Sequence, residues 1–326
     1  MKRDDYAFAS TRVRMFEKTL LTKEQFQRLI SQDSYEKSLR LLKETKYADL
    51  LSQLDEGNLD NVLDMQLMIE AQKLHELIKD EDLLSLLFLT YDYQNIKILI
   101  QKHFGEESLE RLLFDFGSMD LETFRRKIDG DLPLTDSFKD QAIQEAMASY
   151  QEFGDPQALD EILDRYEFLE FAEIAKKSKI DFFQEYGQEM SDFTNLLTFL
   201  RLRRQGQKKD YFYKFFVPNG KYDEEFFLKL WDEEEEIIMK AFSQEAFSRY
   251  LLEFLSSQDI TVLEKGKDLR KLAYVQETDQ VIFGPEVLFG YFKKVETEIQ
   301  NLRIILNGKK LGIQEDLLLE RIRDYE

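Results

Sequence analysis

Few residues in this chain of 326 have the types and spacing that catalysis or metal binding needs. The two histidines, His75 and His103, have no companion at metal-ligand spacing, so we predict no imidazole-based site. Cysteine is absent, which excludes disulfides, cysteine-ligated zinc and thiol catalysis. Neither a Walker A loop nor the glycine fingerprint of a dinucleotide-binding fold occurs. We therefore expect no catalytic residues, no metal site, no cofactor and no nucleotide hydrolysis by the chain itself.

Two groups of acidic residues are the remaining candidates for chemistry. Asp160 and Asp164 share a helical face, as in the aspartate-rich motif with which prenyl-type enzymes bind magnesium diphosphate. Such a site also needs a second acidic cluster and basic residues, and neither is recognisable nearby, so a solvated helix face is the favoured interpretation. The five acids at 232–236 are typical of a helix's first turn, where they complement the helix dipole.

The charge balance restricts the partners of the chain. Its 65 acidic and 45 basic residues give a formal net charge of −20, which a phosphate backbone or an anionic lipid surface would repel. No apolar run approaches the roughly 18 residues that span a bilayer, and the charged start lacks a signal-peptide apolar stretch. We expect a cytoplasmic globular protein that binds no nucleic acid, does not insert into a bilayer and meets its partners through local patches.

Helices are the elements that must position any functional residue. Only four prolines and 13 glycines interrupt long stretches with apolar residues at three- and four-residue spacing. Three helix starts are predicted, namely Thr22 with Gln25 as a capping box, Asp155 before Pro156, and Asp223. In the stretch 272–283 extended structure competes with helix, and we expect a loop with short extended pieces there.

One segment of ten residues occurs three times in the chain. Its copies lie at 91–100, 191–200 and 297–306, and they are centred on Asn95, Asn195 and Asn301. The spacings between the asparagines are 100 and 106 residues, about one third of the chain. In each copy an acid precedes the asparagine by three positions, and a glycine follows it by ten or eleven. This period predicts three related units, at 1–115, 116–217 and 218–326.

The repeated segment is predicted to be a helix with one face in the core of its unit. Apolar residues two positions before the asparagine, and one, four and five positions after it, share a stripe; in the first copy they are Tyr93, Ile96, Leu99 and Ile100. Asparagine is a mediocre helix former, so three equivalent ones indicate that each side chain bonds a neighbouring helix end or loop backbone. A buried, hydrogen-bonded amide is the favoured interpretation over a ligand contact.

Each repeated helix is followed or ended by basic residues. They are Lys102 in the first copy, Arg201, Arg203, Arg204, Lys208 and Lys209 in the second, and Lys309 and Lys310 in the third. Cations at a helix C-terminus complement the dipole, and this is the favoured interpretation. The alternative is that a pseudo-three-fold axis brings them to one rim, where they form a basic collar that contacts a partner.

Both ends of the chain resemble a known family. The stretch FGPEVLFGYFKKVETEIQNLRIILNGKKLGIQEDLLLERIRDYE, 283–326, resembles the end of the C subunit of prokaryotic V/A-type ATPases (V-type ATP synthases), the counterpart of the d subunit of eukaryotic V-ATPases. The run TRVRMFEKTLLTKEQF near the start, and LRLLKETKYADLL at 39–51, resemble the opening of that family. Together with the three-unit period, the resemblance covers the whole chain.

This resemblance implies an all-α fold in which three similar helical units surround a pseudo-three-fold axis and form a funnel with a central hollow. It implies a non-catalytic central-stalk (rotor) subunit that links the central shaft to the cytoplasmic face of the membrane rotor ring and transmits torque for proton or sodium transport. We expect a polar, charge-assisted ring contact, because the ring's subunit number need not match three. Two alternatives stay open: a helical scaffold with unrelated partners, and a magnesium-dependent enzyme with Asp160 and Asp164 facing a large apolar pocket.

Overall fold

The computed structural model describes residues 1–53 and 59–324. Over these residues the secondary structure is helical, without a strand, which confirms the all-α prediction. The α-helices are α1 Ala7–Glu17, α2 Lys23–Ile30, α3 Tyr35–Leu42, α4 Ala48–Gln53, α5 Leu59–Leu77, α6 Glu81–His103, α7 Leu121–Ile128, α8 Phe138–Phe153, α9 Pro156–Ser178, α10 Asp181–Arg204, α11 Phe212–Phe215, α12 Glu224–Lys229, α13 Glu235–Ala241, α14 Ser248–Ser257, α15 Ile260–Glu277, α16 Pro285–Lys310 and α17 Glu315–Arg321. Short 3-10 helices lie at Arg3–Tyr6, Glu107–Leu112, Lys209–Tyr211 and Thr278–Gln280.

The predicted helix starts are confirmed. Thr22 and Gln25 form a reciprocal capping box at the start of α2. The Asp155 side chain accepts from Gln157 N at the start of α9, and Asp223 accepts from Phe226 N at the start of α12. Each acceptor satisfies a backbone N–H that has no partner within its own helix.

The prediction of a loop with extended pieces over 272–283 is wrong for its first half. Helix α15 continues to Glu277, and a 3-10 turn follows it. Tyr274 and Val275 favour strands by propensity, but both are buried in the helix, at 7% and 1% exposure. Packing therefore overrides local propensity at these positions.

The described chain divides into two compact units, and the first comprises residues 1–83 and 272–326. Its central element is α16, which contacts α1, α2, α3, α5 and α17. Phe289, Tyr291 and Phe292 of α16 are fully buried, and each such side chain contributes roughly 1.5–3 kcal/mol of transfer free energy. A helix late in the sequence is thus packed by helices from the start of the chain.

The second compact unit comprises residues 84–271 and contains two hydrophobic clusters. Residues of α6, α7, α8 and α9 form the first cluster, and residues of α10 to α15 form the second. The second cluster is rich in aromatic rings; the centroids of Phe199, Phe212 and Trp231 lie 5.5–6.2 Å apart. The boundaries of these two units differ from the predicted division at 1–115, 116–217 and 218–326, which stays a prediction.

None of the helices that the structure describes combines the length and the apolar character that crossing a bilayer requires.

Candidate functional site

The three repeated helices are α6, α10 and α16, and each carries its asparagine in the core. Asn95, Asn195 and Asn301 have 0% exposure. The predicted apolar stripe is buried in every copy, with exposures of 6% or less at Tyr93, Ile96, Leu99, Ile100, Phe193, Leu196, Phe199, Leu200, Ile299, Leu302, Ile305 and Leu306. The helical period read from the sequence therefore identified the buried face.

Each asparagine bonds both backbone groups of a single residue further along the chain, and we call this arrangement a joint. The Asn95 amide donates to Phe114 O and accepts from Phe114 N, both at 2.9 Å. The Asn195 amide bonds Val217 O and N at 2.7 and 2.8 Å. The Asn301 amide bonds Arg323 O and N at 2.6 and 2.8 Å. A primary amide has the donor and acceptor that this pairing needs.

The acid three residues before the asparagine accepts hydrogen bonds from backbone N–H groups just before a short helix. Asp92 accepts from Ser118 N at 3.0 Å, two residues before the N-cap of α7. Asp192 accepts from Lys221 N and Tyr222 N at 2.9 and 3.1 Å, directly before the N-cap of α12. Carboxylates near a helix N-terminus are favoured by the dipole.

Two glycines permit these close approaches. A Cβ atom added at Gly117 would lie 2.2 Å from Asp92 Oδ1, and one added at Gly220 would lie 2.2 Å from Asp192 Oδ1. Both distances are far below van der Waals contact, so a larger residue at either position would displace the buried carboxylate that the loop backbone passes.

The third joint is completed by the start of the chain. Glu298 of α16 accepts from Leu21 N, the residue before the N-cap of α2, and from Tyr47 Oη at 2.7 Å. Lys46 Nζ lies 2.7 Å from the same carboxylate. An ammonium group therefore compensates the buried charge of Glu298.

Burial raises the pKa of the two aspartates at the other joints. Burial raises the pKa of Asp92 to about 6, although Lys139 at 3.5 Å and the bonds from Ser118 act in the opposite direction. Burial also raises the pKa of Asp192 to about 6 against the two backbone N–H bonds that it accepts. Loss of hydration disfavours the charged form of both carboxylates more strongly than these bonds favour it.

The residue eight positions after the asparagine contacts a residue just beyond the end of the same short helix. His103 Nδ1 lies 2.9 Å from Asp129 Oδ1, just beyond the end of α7. Arg203 donates to Glu233 O at 2.7 Å, beyond the end of α12, and Lys309 donates to Gln32 O at 2.6 Å, beyond the end of α2.

The two contacts fix the direction of the short helix. Eleven residues of α-helix separate the acid from the later contact, a rise of about 16 Å. The repeated helix and the short helix therefore run side by side in the same direction, and one contact holds the short helix at each of its ends.

The other predicted contact residues lie in two kinds of environment. Lys102 lies 2.8 Å from Glu110, Arg201 pairs with Glu264, and Arg204 donates to Gln258 O at 2.5 Å. Lys208, Lys209 and Lys310 are exposed and make no ion pair with the described residues. The structure thus separates cations that bond locally from cations that face solvent only.

The acidic candidates do not form a metal site within the described residues. Asp160 pairs with Lys97 at 2.5 Å. Burial, followed by the charge of Asp160, raises the pKa of Asp164. No group of three or more histidine, cysteine or acidic side chains in the described ranges could hold a metal ion.

A common feature of the three short helices was not predicted from the sequence. A phenylalanine lies four residues after the N-cap of each short helix, at Phe26, Phe124 and Phe227, and all three are buried. The signal was present in the sequence, because each follows a capping residue by the same interval.

Comparison with known proteins places the chain in a family. Residues 9–321 match the family described as ATP synthase (C/AC39) subunit. The C subunit of the V-type sodium ATPase of Enterococcus hirae is 23% identical over 319 residues, 95% of this chain and 96% of that protein. The C subunit of the A-type ATP synthase of Methanocaldococcus jannaschii is 24% identical over 362 residues, 98% of this chain and 85% of that protein. The C subunit of the A-type ATP synthase of Methanosphaera stadtmanae is 25% identical over 338 residues, 94% of this chain and 84% of that protein. The chain belongs to the ATP synthase (C/AC39) subunit family.

Proposed function

We propose that this chain is a non-catalytic central-stalk subunit of a V/A-type ion-translocating ATPase. It links the central shaft to the cytoplasmic face of the membrane rotor ring and transmits torque for ion transport. The match of residues 9–321 to the ATP synthase (C/AC39) subunit family carries the proposal. The relative from Enterococcus hirae is named as a subunit of a sodium ATPase. The names of the relatives from Methanocaldococcus jannaschii and Methanosphaera stadtmanae specify no ion, so the transported ion of this chain's complex stays either sodium or the proton.

The joints support a mechanical role. A part that transmits torque must resist twisting, and close-packed helices have low compressibility. At each joint the repeated helix bonds a following backbone segment through a fully buried amide. Breaking such a bond leaves buried polar groups without partners, so relative movement at a joint is costly.

We further propose that three helical units, one for each repeated helix, surround a pseudo-three-fold axis and form a funnel with a central hollow. The equivalent bonding of Asn95, Asn195 and Asn301 supports related local structures. In this arrangement the hollow receives the shaft, and the ring contact is polar. Raised salt should therefore release the chain from the ring before the chain unfolds.

The basic collar stays a proposal, and the contacts of its residues determine which substitution tests it without disturbing the fold. Arg203 and Lys309 donate to backbone carbonyls, so charge reversal there would disturb the fold as well as any contact. Lys310 is exposed and makes no ion pair with the described residues, so its reversal tests the contact alone.

The experiment that tests the proposed function is co-purification from detergent-solubilised membranes with an affinity tag on this chain. Shaft and ring subunits should be retained together with it. Retention of other proteins without either kind of subunit would favour the alternative, a helical scaffold with unrelated partners.

A further inference from the structure

The segment that connects the end of α10 to Val217, the residue that Asn195 bonds, differs in charge from its two counterparts. Each linker lies between the glycine that follows the repeated helix and the residue that the asparagine bonds. The three linkers are 106–113, 207–216 and 313–322. The linkers 106–113 and 313–322 each contain three acids and one base. The linker 207–216, which we call the basic linker, contains three lysines and one aspartate.

The basic linker is held rigidly on the second unit. Phe212 is fully buried and its ring lies 6.2 Å from that of Phe199 in the aromatic cluster. Tyr211 and Tyr213, on either side of it, are 44% and 55% exposed. Lys214 Nζ lies 4.9 Å from the centroid of the Tyr211 ring. The buried ring fixes the backbone, so the two tyrosines are presented to solvent in a defined place.

The lysines of the basic linker are not neutralised by the described part of the chain. Lys208, Lys209 and Lys214 are exposed and form no ion pair with the described residues. The charge of Lys214 acts on Glu161 of α9, but the two groups are not within ion-pair distance. On a protein with a net charge of −20, three uncompensated lysines beside two exposed tyrosines form a local surface of the opposite sign.

We propose that Lys208, Lys209 and Lys214, with Tyr211 and Tyr213, form a docking surface for an acidic segment of a partner protein. Tyrosine is enriched at the energetic centres of protein interfaces, and the lysines provide complementary charge. A short acidic segment meets this surface without approaching the rest of the protein, whereas an extended anionic bilayer would be repelled by the net charge of −20. That the partner is another subunit of the rotary complex rests on the proposed function.

The surface is tested first with the isolated chain and a fluorescein-labelled peptide of alternating glutamate and glycine. The chain should bind it at low ionic strength. Replacing Lys208, Lys209 and Lys214 together with glutamine should weaken binding by about tenfold, because each exposed ion pair contributes little and three are lost at once. The control replaces Lys176, Lys240 and Lys265 with glutamine, three exposed lysines of the same unit, and it should leave the affinity unchanged. No binding by the unaltered chain, or an equal loss in both variants, overturns the proposal.

A second measurement identifies the partner. A photo-crosslinking residue at Tyr213 in the assembled complex should attach to a segment with an excess of aspartate and glutamate. Attachment to a neutral or basic segment overturns the proposal. A surface that binds phosphatidylglycerol vesicles through the three lysines, but does not bind the glutamate peptide, also overturns it. If shaft and ring subunits do not co-purify, the proposed function fails, and the peptide measurement still decides whether the surface binds acidic segments.

Discussion

Replacing Asn195 with alanine should destabilise the second unit strongly, because it removes both partners of Val217. The amide bonds Val217 O and N at 2.7 and 2.8 Å, and Val217 is 4% exposed, so bulk water does not replace the lost partners. A buried backbone group without a partner costs about 1–3 kcal/mol, so the two groups together predict a loss of roughly 2–6 kcal/mol in the free energy of unfolding.

The single tryptophan provides the assay. Trp231 lies in the same hydrophobic cluster as Asn195's neighbour Leu196 and is 7% exposed, so its fluorescence reports unfolding of the surroundings of α10. Denaturant titrations of the original chain and of Asn195→Ala should differ in midpoint while the slope stays the same.

Two further variants separate hydrogen bonding from packing. Asn195→Asp keeps the side-chain size but directs an oxygen at Val217 O, so at neutral pH it should destabilise at least as much as alanine. Asn307→Ala changes an exposed asparagine of another repeated helix and should alter stability by less than about 0.5 kcal/mol. If Asn195→Ala cost no more than Asn307→Ala, or if Asn195→Asp were neutral, the joint would not stabilise the fold as we infer.

Three other predictions follow from the same contacts. Gly220→Ala should cost about 1–3 kcal/mol by overpacking, because the new Cβ would lie 2.2 Å from Asp192 Oδ1, and an unchanged denaturation midpoint would contradict this. Burial raises the pKa of Asp192 to about 6, so the stability that this residue contributes is present below its unfolded-state pKa and is lost as pH rises through 6. Relative to Asp192→Asn, the original chain should therefore lose about 2 kcal/mol of its free energy of unfolding between about pH 4 and about pH 7, and a stability difference that does not change with pH would contradict the raised pKa. Phe124→Ala, at a fully buried ring, should cost about 3–5 kcal/mol in thermal or denaturant unfolding, whereas Phe153→Ala, at a ring 67% exposed, should change stability little.

The sequence identified the repeated helices and their buried faces because both depend on local periodicity. The apolar positions around Asn95, Asn195 and Asn301 recur at fixed intervals, and a helix places such positions on one face. The same reasoning found that each asparagine bonds backbone. It could not name Phe114, Val217 or Arg323 as the bonded residues, because those contacts depend on the path of a loop.

Other features needed the tertiary structure. The acids Asp92 and Asp192 were noticed as recurring, but their contacts with the starts of short helices depend on close approach at Gly117 and Gly220. The helix at 272–277 was missed because burial of Val275 outweighs its strand propensity. Glu298 bonds Leu21, 277 residues away along the chain, and no local pattern indicates such a contact.

The claim that this chain links the shaft to the ring is tested most directly by coupling in sealed vesicles. ATP hydrolysis and ion uptake are measured together for complexes assembled with the chain and without it. We predict that without the chain hydrolysis continues while ion uptake is lost, and that adding the purified chain restores uptake. Ion uptake at the same rate per ATP hydrolysed in complexes that lack the chain would contradict it.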